Sequence, residues 1–96
     1  MNTQRYRRLN SATARYSDKH VECMTGWVRK NRLDEAYKKK CRSVALKYKE
    51  ALEKELAYLK TRPPSERIKF RIGVIGDYLN MVADDIALID GGGRDH

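Results

Sequence analysis

His20 and Cys23 stand three residues apart, and Cys41 follows eighteen residues later, so the chain offers side chains that bind zinc or act as nucleophiles. Structural zinc takes four ligands, usually in two pairs with short spacing, and the second pair is missing here. A cysteine nucleophile needs a histidine base, a group that orients this base, and donors for an oxyanion. The sequence shows neither of the last two. We therefore expect no metal, no cofactor and no enzymatic activity, and we interpret both cysteines as reduced core thiols of a cytoplasmic protein.

The clustered cations of the chain suggest a second kind of chemistry, phosphate binding. The net charge of +8 is uneven, because residues 1–32 carry +6, residues 33–62 carry +4 and residues 63–96 carry −2. Nucleic-acid affinity comes largely from counterions released by several cations on one surface. The candidate phosphate contacts form two clusters. The first consists of Arg5, Arg7 and Arg8, and the second consists of Lys38, Lys39, Lys40 and Arg42. The second cluster spreads around any helix that it forms, so a solvated surface is the favoured interpretation and nucleic-acid binding is the alternative.

Three stretches with helical periodicity must position these groups, and the last stretch is the most regular. It has seven apolar residues at alternating steps of four and three, which only a helix places on one side. These residues are Ile68, Ile72, Ile75, Leu79, Val82, Ile86 and Ile89. The spacing predicts a helix over residues 66–90 with a Ser or Thr cap at its start. A glycine cap after Asp90 would end this helix and leave a flexible tail over residues 91–96.

The last predicted helix is also apolar on the side opposite this seam, where Phe70, Val74, Met81 and Leu88 cluster. A helix with two apolar sides either lies in the middle of its own bundle or forms half of an interface. The first interpretation is favoured, and the second makes these four residues the candidate partner-binding site. The seam itself could serve self-association as well as internal packing, so a homodimer is left open.

The first stretch keeps the same spacing from Tyr6 to Trp27, but it contains natural helix caps at Asn10-Ser11 and at Ser17. We expect residues 1–10 to form a mobile basic arm and residues 11–31 to form a helix. The alternatives are a single continuous helix and a short helix followed by a second helix over residues 17–31.

The middle stretch has an apolar stripe with no Gly or Pro, which predicts a long helix over residues 33–61. The predicted fold is one all-α domain, a long antiparallel helical hairpin with an additional N-terminal helix in a small three-helix bundle. No apolar run approaches the roughly 20 residues that span a bilayer, so we expect no membrane partner.

Residues 62–65 form the corner between the last two predicted helices, and they include both prolines of the chain, Pro63 and Pro64. Proline pushes the preceding residue out of the α region, so one proline is enough to end a helix. The second adds another slowly isomerising X–Pro bond that could populate the cis form. A plain corner is favoured, and a switch engaged by a prolyl isomerase at Pro63 or Pro64 is the alternative.

In its 96-residue length, its helical pattern and its Pro63-Pro64 corner, the chain resembles the lambdoid bacteriophage anti-RecBCD accessory proteins. These small phage proteins bind the host RecBCD helicase–nuclease through its RecC subunit and are associated with a host prolyl isomerase. The resemblance implies a non-enzymatic modulator, or inhibitor, of a host nuclease of DNA recombination and repair, located in the bacterial cytoplasm. It also implies that the proline corner engages the isomerase and that the apolar strip of the last helix docks on the nuclease. The competing prediction is a basic helical module that binds nucleic acid.

Overall fold

The computed structural model describes residues 3–29 and 35–91, which form three α-helices. These helices are α1 (Thr3–Arg29), α2 (Glu35–Lys60) and α3 (Glu66–Ile89). Contacts between Cys23 and Cys41 at one end and between Tyr6 and Tyr58 at the other show that α1 and α2 are antiparallel. The antiparallel helices α2 and α3 form the long hairpin. The predicted all-α three-helix fold is therefore confirmed.

The seven-residue seam of α3 packs on α2 as predicted, and its ends have the expected caps. Ile75, Val82 and Ile89 are fully buried, and the other four members are partly buried against the core. At the start of α3, the Ser65 hydroxyl accepts a hydrogen bond from the Ile68 backbone N–H at 3.2 Å. Gly91 follows the helix with φ 95°, a conformation that only glycine adopts at low cost.

The favoured prediction that α3 lies in the middle of the bundle is wrong. The central helix is α2, which packs against both α1 and α3 along its length. The Cα atoms accordingly span 47 × 27 × 16 Å, a flattened shape with one outer helix on each side of α2. The second apolar side of α3 is therefore left uncovered by the described part of the chain.

The prediction of a basic arm before α1 is also wrong for residues 3–10, since α1 begins at Thr3 and continues without a break to Arg29. The helix does not begin at the capping residues Asn10-Ser11, because residues before them pack against α2 and the core. The Tyr6 ring stacks on the Tyr58 ring of α2 with centroids 5.9 Å apart, and Leu9 packs against the main core. This burial stabilises two additional helical turns. The predicted end of this helix, residues 30–31, lies outside the described residues. The same is true of residues 92–96 of the predicted tail.

The core has two parts along α2. The main cluster lies between the middle of α2 and both outer helices, and its buried members are Ala45, Tyr48, Leu52, Tyr58, Leu59, Ile75 and Val82. The smaller cluster joins the end of α1 to the start of α2 and the end of α3, and its buried members are Cys23, Trp27, Cys41 and Ile89.

The corner at residues 62–65 ends α2 as predicted. The Thr61 and Arg62 N–H groups donate to the Tyr58 and Leu59 carbonyls at 3.0 and 3.1 Å, which closes the last turn of α2. Both X–Pro bonds are trans, and Pro63 and Pro64 are exposed. None of the three described helices is long and apolar enough to cross a membrane.

Candidate interaction surfaces

The side of α3 that faces away from α2 carries a strip of apolar and acidic side chains, of which all but the half-buried Val74 are exposed. We call it the outer strip, and its members are Phe70, Val74, Asp77, Met81 and Asp84. Phe70 is 74% exposed and Met81 is 40% exposed, which is unusual for side chains of this size. Positions 70, 74, 77, 81 and 84 repeat the four-and-three spacing of a helical seam, but this second seam has no helix packed on it within the described residues.

Leu88 was predicted to belong to the same strip, but the structure places it differently. It is half-buried and packs against the smaller core cluster at the end of α3. Its apolar side chain is thus used in part within the chain, and only Phe70, Val74 and Met81 of the four predicted partner-binding residues belong to the outer strip.

Two glycines, Gly73 beside the outer strip and Gly76 further round towards the seam, leave the α3 backbone open. Apart from its chain neighbours and the backbone of α3 itself, a Cβ atom built on Gly73 or Gly76 would meet no atom within 4 Å. Asp77 and Asp84 are exposed, and neither forms an ion pair with any described residue. The strip therefore offers apolar contacts, two unpaired negative charges and close access to the helix backbone.

A buried carboxylate lies where the three helices meet. Glu55 of α2 is fully buried and accepts hydrogen bonds from Arg71 of α3 at 2.8 and 3.0 Å and from the Tyr6 hydroxyl of α1 at 2.7 Å. Burial acts to raise the pKa of Glu55, but the hydrogen bonds from Arg71 and Tyr6 outweigh it and hold that pKa below its ordinary value. An ionised carboxylate enclosed by its donors connects helices and is not placed to accept a substrate proton.

The histidine and cysteine side chains that the sequence offered for catalysis or metal binding form contacts within the chain instead. His20 is buried, and its Nε2 lies 2.8 Å from Asp85 Oδ2, which ties α1 to α3. The Cys41 thiol donates to the Cys23 carbonyl at 3.2 Å, and burial, with Cys23 beside it, raises the pKa of Cys41 to about 12. Residues 3–29 and 35–91 contain no group of three or more His, Cys, Asp or Glu side chains that could hold a metal ion.

A shallow groove between α1 and α2 is lined by cations that the sequence interpretation missed, with the exception of Arg5. One part, of about 600 Å³, is lined by Arg5, Lys54 and Arg62 together with Leu9, Tyr58 and two small residues. The next part, of about 220 Å³, shares Leu9 and Lys54 with the first and continues to Lys47 and Tyr16.

The cations at this groove are arranged around two tyrosine rings. The guanidinium groups of Arg5 and Arg62 lie 5.5 and 6.0 Å from the centre of the Tyr58 ring. At the far end, Arg15 and Lys19 lie 5.3 and 5.6 Å from the centre of the Tyr16 ring. We call this surface the basic groove, and its cations are Arg5, Arg15, Lys19, Lys47, Lys54 and Arg62.

Only Arg5 of the predicted phosphate contacts lines the basic groove. Arg42 instead forms an ion pair at 2.9 Å with Asp90, the residue that follows α3. Arg7, Arg8 and Lys38–Lys40 do not line it. A sequence signal for the groove did exist, because Lys47 and Lys54 stand seven residues apart and so lie on one side of α2.

Comparisons of the chain with protein-family models, with curated proteins and with solved structures find no match. The two surfaces are therefore interpreted from their own geometry and charge.

Proposed function

We propose that this chain is a non-enzymatic interaction protein that binds a protein partner through the outer strip of α3 and changes the activity of that partner. The observation that carries the proposal is the exposure of Phe70 and Met81 on a helix whose opposite side is packed against the core. Exposed large apolar side chains in one strip mark a surface that another molecule covers.

The chemistry of the outer strip favours a particular kind of partner segment. Asp77 and Asp84 alternate with the apolar side chains along the strip, so a complementary segment has apolar residues interleaved with Lys or Arg. An amphipathic helix with one basic edge meets this description, because its apolar residues recur at the spacing of the strip. Gly73 would let the backbone of such a helix come close to α3.

The first partner to test is the RecBCD helicase–nuclease, bound through RecC. The support for this choice is the resemblance in length, helical pattern and Pro63-Pro64 corner to the phage anti-RecBCD accessory proteins. The same resemblance supports engagement of a prolyl isomerase at Pro63 or Pro64, both of which are exposed. Modulation of this nuclease would place the chain in DNA recombination of a bacterial host.

The experiment is capture of purified RecBCD on the immobilised chain, followed by an assay of nuclease activity on linear duplex DNA. We expect capture that persists at high salt, because apolar burial carries the binding, and we expect a change in nuclease activity. The Phe70→Ala/Met81→Ala variant should lose both. The matched control is Val21→Ala/Leu46→Ala, which removes exposed apolar side chains from α1 and α2 and should keep both.

Three outcomes would contradict parts of the proposal. Equal loss of capture in the two double variants would show that the outer strip is not the docking site. Failure of the unmodified chain to capture RecBCD would exclude this partner. A homodimer that the Phe70→Ala/Met81→Ala variant abolishes would assign the outer strip to a second copy of the chain.

A further inference from the structure

The basic groove between α1 and α2 is separate from the outer strip of α3, and the partner-binding function does not use it. We propose that the basic groove binds the phosphate backbone of double-stranded nucleic acid. This inference is independent of the protein partner, because it rests on residues of α1, α2 and the corner that follows α2.

The first argument is the density of positive charge. Four cations line the groove and two more, Arg15 and Lys19, flank its far end at the Tyr16 ring, whereas the acidic side chain that lines it is Glu50, which pairs with Lys54 at 3.3 Å. Arg5 and Lys19 are separated along α1 by about 21 Å, at a rise of 1.5 Å per residue. Two rows of cations on neighbouring helices over this length can contact several phosphates of a nucleic-acid backbone at once.

The second argument is the lack of apolar anchors in the groove. Its apolar lining consists of Leu9 and alanines in addition to the tyrosines, and its large apolar side chains are all at least partly buried. A protein partner needs a central apolar contact, and a membrane surface needs side chains that insert between lipids. Interfaces with nucleic acid are polar and strongly positive, which is what this groove offers.

The third argument distinguishes duplex from single strand. Proteins that bind single strands stack bases on open aromatic rings. Here Tyr58 is buried and has Arg5 and Arg62 over its ring, while the half-buried Tyr16 has Arg15 and Lys19 over its ring. Because these cations occupy the positions that a base would take, the groove contacts phosphates and does not stack bases. Binding is therefore independent of base sequence.

The test is fluorescence anisotropy of the full chain with a mixed-sequence duplex of about 20 base pairs, titrated at salt concentrations from about 50 to 200 mM. Six phosphate contacts predict that the logarithm of the association constant falls with the logarithm of salt concentration at a slope of about −5. The Arg15→Gln/Lys47→Gln/Lys54→Gln variant should bind at least about tenfold more weakly, with a slope shallower by about 2.7. All three side chains are exposed, so we expect this variant to keep the helical circular dichroism of the unmodified chain.

The matched control is Arg7→Gln/Arg67→Gln/Lys69→Gln, which removes the same charge from exposed positions outside the groove. This control should keep most of the affinity. Equal weakening in the two triple variants would overturn the proposal by showing that net charge alone drives binding. Tighter binding of a single strand, or equal binding of a poly-glutamate peptide, would overturn it in favour of those ligands, and failure of the unmodified chain to bind the duplex would also overturn it.

Discussion

Arg71 of α3 makes a two-point ion pair with Glu55 of α2, with Nε 2.8 Å from Oε2 and Nη2 3.0 Å from Oε1. Tyr6 of α1 donates to the same carboxylate, so one fully buried group is bonded to both outer helices. A buried charge is stable only when its donors are held in place. This network therefore fixes how far α1 and α3 can slide along α2, and it orients the faces that carry the outer strip and the basic groove.

The Arg71→Met variant should strongly destabilise the fold. Methionine keeps much of the apolar stem of the side chain but leaves the Glu55 carboxylate without its cation, which typically costs about 3–5 kcal/mol. Urea denaturation followed by circular dichroism measures the free energy of unfolding. Arg67→Met, at an exposed position one turn earlier, is the control and should change that free energy by less than about 0.5 kcal/mol. A similar small effect for both variants would show that the ion pair does not hold the helices together.

The lowered pKa of Glu55 predicts acid sensitivity of the fold. In the unfolded chain this carboxyl titrates near its ordinary value of 4.5, whereas in the folded chain it holds its negative charge to lower pH. The stabilisation is therefore fully present above pH about 4.5 and is lost as the pH falls through the lower folded pKa. Thermal melts from pH 6 to pH 3 should show the stability advantage of the unmodified chain over Glu55→Gln shrinking as the pH falls. An advantage that stays constant over this range would contradict the prediction.

The apolar spacing predicted the helices and most of the core, because a seam at steps of four and three specifies a helix face whatever that helix packs against. Ile75 and Val82 of α3 and Thr13 and His20 of α1 are buried where this spacing puts them. The spacing did not identify the central helix. The order of packing depends on which faces match, and Phe70 and Met81 made α3 resemble a buried helix although they are exposed.

The Glu55 network shows what sequence interpretation missed and which signal could have found it. Tyr48, Leu52, Glu55 and Leu59 follow steps of four, three and four, so Glu55 occupies a position in the seam of α2. An acidic residue at such a position must find donors on the neighbouring helices. Its partners Arg71 and Tyr6 lie 16 and 49 residues away, and only the tertiary arrangement brings them to it.

The raised pKa of Cys41 predicts a thiol that stays unreactive in the folded chain. Burial and the neighbouring Cys23 raise that pKa to about 12, and the thiolate is the reactive form. With a disulfide reagent at pH 8, Cys41 should react at the rate of unfolding or local opening and should react fast in concentrated urea. Since the unfolded thiol titrates near 9.0, this group should also cost stability as the pH rises above 9. Fast labelling of Cys41 in the native chain, located by peptide mapping, would refute the buried contact with Cys23.

Gly26 of α1 lies where α1 and α2 come close together, and we predict that a larger residue there clashes with Tyr37. A Cβ at this position would overlap the hydroxyl of Tyr37 and lie 3.0 Å from its Cζ atom. Gly26→Ala should therefore destabilise the fold by about 1–3 kcal/mol, although alanine favours the helix. In the Tyr37→Phe background, where the hydroxyl is absent, the same substitution should cost less. A double-mutant cycle of unfolding free energies measures the difference, and zero coupling between the two positions would disprove the contact.

Gly73 of α3 should respond in the opposite way and so tests the outer strip. A Cβ at this position has open space beyond its chain neighbours and the backbone of α3, so Gly73→Ala should stabilise the isolated chain by up to about 1 kcal/mol through helix propensity. If a partner helix packs closely on the outer strip, the same methyl group should weaken binding of that partner. Thermal melts and partner capture on one preparation separate the two effects.

Ala83→Gly, at another exposed position of α3, removes a methyl group and serves as the reverse control, which should lower stability without hindering approach to the strip. A stabilised Gly73→Ala variant that binds its partner as tightly as the unmodified chain would show that the partner does not approach α3 beside this glycine.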